Sequence, residues 1–235
     1  MLRSLTSRSV FPIVILFGLG LSGCFDTEPK EREAFKNFLQ TRIIDKPGLH
    51  VPILTADEGR TLGRYKEHYE IITRFHDQMN DQVSKPLQDV FKVAAIRSMS
   101  DLMENKASLS KVQETVKQLR ASLDKAQADA VSERNRLAQP DDLKPIYAQA
   151  FERDVTRPAE TFRAVFPSVD SILDSSLQIV MLLEKNQGKW TMSGNAIEFK
   201  DPQLLSQFNQ LAAELASKSR DALESQQKMR TLISG

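Results

Sequence analysis

Apolar residues recur every three or four positions along most of this chain, the period of helices that bury one face. The first such stripe, Phe35, Phe38, Leu39 and Ile43, predicts a helix over 31–44. Lys46-Pro47-Gly48 stops it, because proline cannot continue a helix and glycine tolerates the turn that follows. Thr55 and Glu58 have the spacing of a capping box and open a second helix. Its stripe is Leu62, Tyr65, Tyr69, Ile72, Phe75 and Met79. Lys85-Pro86 predicts a break or kink before a segment through Val90, Phe91, Ala94 and Ile96. Residues 98–108 read as a connection with a short helical turn.

The most regular period is Leu109, Val112, Val116, Leu119, Leu123, Ala126 and Ala130, stepping 3-4-3-4-3-4. That is a heptad seam of about three repeats. It has two readings. The helix either faces its own core, or offers Val112, Val116, Leu119 and Leu123 to a second copy or a partner, with Ala126 and Ala130 weakening the seam. Pro140-Asp141-Asp142 starts another helix, with Leu143, Ile146, Tyr147, Ala150 and Phe151 on one face and the acids serving its first amides. Thr156-Arg157-Pro158 starts the next, and Pro167 predicts a kink or division in it. Val169, Ile172, Leu173, Leu177, Val180, Met181 and Leu182 then make a piece apolar on most sides, expected at the centre.

The period changes once. Lys189 to Met192 and Ala196 to Phe199 alternate around Ser193-Gly194-Asn195, which is turn chemistry. In that hairpin Trp190 faces Phe199 and Met192 faces Ile197, and the face they share must pack on helices, since an isolated hairpin is marginal in water. Asp201-Pro202 caps a last helix with the stripe Leu204, Phe208, Leu211 and Leu215. The fold class is all-α: an elongated multi-helix bundle with one small β-hairpin near residues 189–199.

Ahead of all this lies an apolar run, Val10 to Leu21, behind Arg3 and Arg8. Small residues and a cysteine close it as Leu21-Ser22-Gly23-Cys24, which reads as a lipobox. A leader cut between Gly23 and Cys24 would leave the only cysteine in the chain at the new N-terminus, carrying lipid. The run is short of the roughly 20 apolar residues that span a bilayer. The expected organisation is therefore a leader (1–23), a lipidated tether (24–30) and one helical domain (31–235). Gly18-Leu19-Gly20-Leu21-Ser22-Gly23 matches a dinucleotide-binding pattern by letter, but no βαβ unit surrounds it.

Without the leader, 30 basic residues stand against 31 acidic ones, a balance of about −1 that gives no argument for nucleic acid. The three histidines, His50, His68 and His76, are poorly spaced for a metal, since His68 and His76 differ in direction by about 80° on one helix. No serine sits in a G-x-S-x-G elbow, and no cofactor motif shows. Trp190 and Phe199 are the one candidate platform for a sugar ring.

The chain resembles the YiaF-like lipoproteins of enterobacteria. The residues that carry this are Ser22 to Asp26, Ala34-Phe35 with Phe38-Leu39-Gln40, Leu54 to Asp57, Asp141 to Pro145, Gln149 to Phe151, Val155-Thr156, Pro158-Ala159, and Ile197 with Phe199. They span nearly the whole chain in one order, and residues 60–135 match poorly. The resemblance implies a bacterial envelope lipoprotein and no known activity. In the enterobacterial sorting rule an Asp after the lipidated cysteine retains a protein in the inner membrane. Phe25 therefore implies the outer membrane, periplasmic side. The expectation is a non-enzymatic interaction or structural module held by lipid on Cys24 and meeting an envelope protein partner. The alternative is a module binding cell-wall glycan or lipid through the Trp190 hairpin.

Overall fold

The computed structural model describes residues 27–94, 98–104, 106–194 and 196–234. Gly23 and Cys24, with the whole expected leader, lie outside the described residues.

The first helix, α1 (Glu28–Phe38), starts inside the stretch expected to be tether. Pro29 sets helical φ in its first turn, and the Thr27 hydroxyl donates to Glu31 Oε1 at 2.7 Å. Phe35, Phe38, Leu39 and Ile43 are all buried, and the helix finishes in a π-turn, Leu39–Ile44. The capping box at Thr55 forms as expected. The Glu58 amide donates to Thr55 Oγ1 at 3.1 Å, and the Thr55 amide donates to Glu58 Oε2 at 2.9 Å. That opens α2 (Ala56–Leu62), which bends through one 3₁₀ turn, Gly63–Tyr65, into α3 (Lys66–Met79). Gly63 has φ +52°, and a Cβ there would lie 2.2 Å from the Glu31 carboxyl carbon. Glu31 is in turn fixed by the Arg64 amide and Nε, both at 3.3 Å.

The breaks predicted at Pro86 and Pro158 take a different form. Each proline follows a π-turn, Asn80–Ser84 or Glu152–Thr156, and the chain stays helical across it. A proline lacks the N–H that would bond the carbonyl four residues back, and its ring presses on that carbonyl. Those carbonyls belong to Gln82 and Asp154, both inside the π-turns, where the wider turn relieves the crowding. So α3 continues into α4 (Lys85–Ala94), and α7 (Lys144–Phe151) continues into α8 (Arg157–Lys185). Pro167 lies inside α8 without dividing it. The run Lys144–Lys185 is long enough to cross a membrane, and its most apolar 18-residue window reaches a mean hydropathy of 1.2, yet half of that window is buried inside the protein.

The connection before the seam holds the short α5 (Met99–Glu104). The seam helix, α6 (Lys106–Asn135), has 30 residues and is about 45 Å long. Side-chain pairs show that α6 and α8 run antiparallel. Lys106 meets Glu184, Gln113 meets Asp174 at 2.9 Å, Arg120 meets Asp170 at 2.6 Å, and Asp124 meets Arg163 at 2.8 Å. Exposed pairs of this kind add little stability, but they fix which residues lie opposite. The last helix, α9 (Pro202–Ser234), returns along the other side of α8, and Asp201 caps it by accepting from the Gln203 amide at 2.9 Å. Thus α8 lies between α6 and α9, while α3 and α4 cover α6. One continuous core runs from Phe35 to Ala222. Between α8 and α9, β1 (Trp190–Ser193) and β2 (Ala196–Phe199) pair antiparallel, with Trp190 opposite Phe199 and Met192 opposite Ile197. The fold is all-α with one small hairpin, as the periodicity predicts.

Replacing Gly63 by Ala puts a side chain into a left-handed conformation and against Glu31. We expect a loss of about 1–2 kcal/mol. That lowers the thermal midpoint by roughly 2–8 °C, readable by circular dichroism.

Candidate functional site

Val112, Val116, Leu119 and Leu123 are at most 8% exposed, and Ala126 and Ala130 are buried with them. Of the two readings of the seam, the exposed-face one is corrected: the stripe closes on this chain's own α3, α4 and α8. The reason is the length of α8. A 29-residue apolar helix offers α6 a partner for its whole seam within one chain.

The hairpin face is also turned inward at its base. Trp190 Nε1 donates to the Leu183 carbonyl at 2.8 Å, at the end of α8. The Phe199 ring lies 4.9 Å from Phe208 of α9. Trp190, Ile197 and Phe199 are half-buried against the core, and Met192 near the tip is 36% exposed. The two rings offered as a sugar platform are thus the hairpin's packing face.

Sequence reasoning sees no nucleophile with a base, but folding brings one serine to a lysine. Ser175 Oγ accepts from Lys218 Nζ at 2.9 Å. Ser175 is fully buried, and the same ammonium is held by Glu214 at 2.5 Å. A nucleophile without exposed surface meets no substrate, so this pair ties α9 to α8. A cavity of about 170 Å³ lies beside it, lined by Pro167, Ser168, Ser171, Lys218 and Asp221. Small-molecule pockets start at roughly 300 Å³.

Asp141 and Asp142 depart from expectation. The first amides of that turn, Leu143 and Lys144, bond the Pro140 carbonyl at 3.0 and 3.3 Å. Asp141 accepts from Lys144 at 2.7 Å, and Asp142 reaches across to Arg32 at 3.2 Å and Lys36 at 3.3 Å of α1. With those amides already bonded, Asp141 meets a cation of the helix it precedes and Asp142 meets two of a neighbouring one.

The densest polar chemistry lies where α3 meets α7 and the π-turn before α8. The Tyr147 hydroxyl donates to the His68 carbonyl at 2.8 Å, and the rings of Phe35, Tyr65 and Tyr147 stand within 5.0–6.2 Å of the His68 ring. Gln139 donates to His68 Nδ1 at 3.2 Å, which leaves its proton on Nε2. Burial lowers the pKa of His68 and His76 below the ordinary value, so both favour the neutral ring. Burial and a hydrogen bond to Glu28 push the Tyr65 phenol up to about 12. His76 Nε2 lies 2.5 Å from the Asp154 carbonyl. A carbonyl only accepts, so Nε2 carries the proton. This is the carbonyl left without an α-helical donor by Pro158, and the imidazole supplies one.

The side chain of Asp154 is the exception in this neighbourhood. It has no exposed surface, and neither carboxylate oxygen has a hydrogen-bond partner. Burial raises its pKa from 3.8 to about 7, with the Arg153 charge opposing the rise. The residue was missed because it reads as one more charge. Its register was legible: it falls three residues after buried Phe151 and four before buried Pro158. Among the described residues no three His, Cys, Asp or Glu side chains are grouped to hold a metal.

The chain belongs to the family described as "Protein of unknown function (DUF3053)", which matches residues 11–230. It is 30% identical over 211 residues to the "Uncharacterized protein YiaF" of Escherichia coli strain K12, covering 89% of each chain. The proteins of that name in Escherichia coli O157:H7 and Shigella flexneri give the same figures. The resemblance read from scattered residues therefore extends over most of the chain. No solved structure matches.

If the seam is core, Leu123→Ala lowers stability by about 2–5 kcal/mol, the cost of a buried leucine and its cavity. Sedimentation should show the association state of the wild type. A variant of unchanged stability and altered association would place the seam at an interface.

Proposed function

We propose that the chain is a lipid-anchored envelope protein of the periplasmic side, held by acyl chains on Cys24, whose helical body serves interaction or structure and not catalysis. The observation that carries this is Leu21-Ser22-Gly23-Cys24 closing the apolar run Val10 to Leu21, with no second cysteine in the chain. Several acyl chains on one residue give the stable anchoring that a single chain does not. The near balance of charge favours lipid over electrostatic attraction as the membrane contact.

Phe25 after the cysteine favours the outer membrane over the inner one. A structural part for Ser175 and the Lys218 ammonium is favoured by their closure inside the α8–α9 interface. The relatives carry no stated activity, so the partner is sought by experiment. Exposed Met181 of α8 and Leu223 of α9, 58% and 59% accessible, are suitable positions for photo-crosslinking side chains.

Cys24→Ser should abolish labelling by radioactive palmitate and move the protein from the outer-membrane fraction to the membrane-insoluble precursor or the soluble fraction. Labelling that persists in the variant would overturn the anchor. A labelled wild type that fractionates with the inner membrane would correct only its address.

A further inference from the structure

Residues 45–54, between the first π-turn and α2, form a strap without helix or strand. Side chains from beneath hold it. Arg153 Nη2 donates to the carbonyls of Lys46 and Gly48, the latter at 2.7 Å. The Tyr69 hydroxyl donates to the Pro52 carbonyl at 2.6 Å. Pro52 is buried, Val51 and Leu54 pack on the core, and Ile53 is 91% exposed. The clamp is therefore a guanidinium whose sequence neighbour is the buried carboxyl of Asp154. Arg153 Nε is itself buried with no partner. That leaves the fork able to turn toward a new acceptor.

We propose that Asp154 and Arg153 form a proton-operated latch on this strap. With Asp154 protonated, Arg153 lies on the strap carbonyls. With Asp154 ionised, a buried charge needs a counter-charge, and Arg153 is the cation that acts on it. The guanidinium then leaves two neutral carbonyls for a carboxylate, a stronger charge-assisted acceptor. The strap keeps only Tyr69 and its apolar contacts, and opens more often.

Other groups around the site do not take over this role. Glu152 is paired with Arg157 at 3.8 Å, and Arg42 with Glu58 at 2.5 Å. Arg134 of α6 lies over the Phe151 ring, and Glu133 pairs with Arg74. Burial raises the phenols of Tyr69 and Tyr147, so both stay neutral. His76, kept neutral by burial with Asp77 opposing, donates to the Asp154 carbonyl in either state. Asp45, Lys46 and His50 ride on the strap itself.

The direction with pH follows from where the proton is held more tightly. Burial raises the Asp154 carboxyl to about 7 while Arg153 lies on the strap, and the guanidinium charge brings it to a lower value once Arg153 turns inward. The closed strap is fully favoured below the lower value, loses ground as pH rises between the two, and levels off above about 7.

Limited proteolysis of the full protein tests this, with cleavage inside residues 46–54 normalised at each pH to an unstructured peptide of the same sequence. Protection of the strap should fall by up to about tenfold per pH unit between pH 4 and pH 7, while α8 stays uncut. Asp154→Asn and Asp154→Leu should flatten the profile at its low-pH level, and Arg153→Met should leave the strap open throughout. A flat wild-type profile, an unchanged slope in a folded Asp154 variant, or equal loss across α8 would overturn the latch. Should neither Asp154 variant fold, carboxyl carbon NMR of the wild type decides. A midpoint near 7 upholds the latch, and one in the usual aspartate range overturns it.

Discussion

Burial of the α6 seam against α8 is the contact on which the remaining architecture rests. Leu109, Val116 and Leu123 have no exposed surface, and across from them Phe166, Val169 and Leu173 are equally closed. Most of the stability of a helix in a protein comes from packing such an apolar face and not from its own propensity. Once the two are antiparallel, the loops around them place α3 and α4 on the outer side of α6 and α9 on the outer side of α8. Ion pairs along the α6–α8 edge then choose the register among the positions the apolar stripe allows.

Much of this was legible because helix and hairpin periods depend on local spacing. The capping box at Thr55, the seam and the hairpin register all follow from residues within about a turn of one another. The prolines were legible as irregularities but not as to their form. Whether a helix ends or widens at Pro86 or Pro158 is settled by what waits beyond it, and at both places that is more apolar helix with a core to enter. The same holds for Asp142, whose partners Arg32 and Lys36 are more than a hundred residues away, and for Asp154, which sits in a π-turn packed against the distant α3. Local patterning says which face is inward. It does not say which charge is carried inward with that face.

The division between anchor and body gives the proposed function its shape. In the proposed reading, location is written in a few residues around Cys24, while the body is a helical frame with its apolar stripes facing inward. Polar side chains inside that frame pin one element to another: Ser175 with Lys218 joins α8 to α9, and Tyr147 with the His68 carbonyl joins α7 to α3. Such contacts give a unique arrangement more than they give strength, since each replaces bonds with water. A frame of this kind suits a protein whose surface is read by others.

The contact between His76 and the Asp154 carbonyl also constrains how this sequence can drift. Pro158 removes one donor from that carbonyl, and an imidazole 78 residues away in sequence from Asp154 supplies another. Loss of the histidine alone strands a buried acceptor. A return from proline to a residue with an N–H gives the carbonyl a helical donor beside the imidazole, and its two lone pairs accept both. With that donor in place, loss of the histidine costs less. Positions 76 and 158 are therefore expected to show epistasis, inherited together as one unit of the fold.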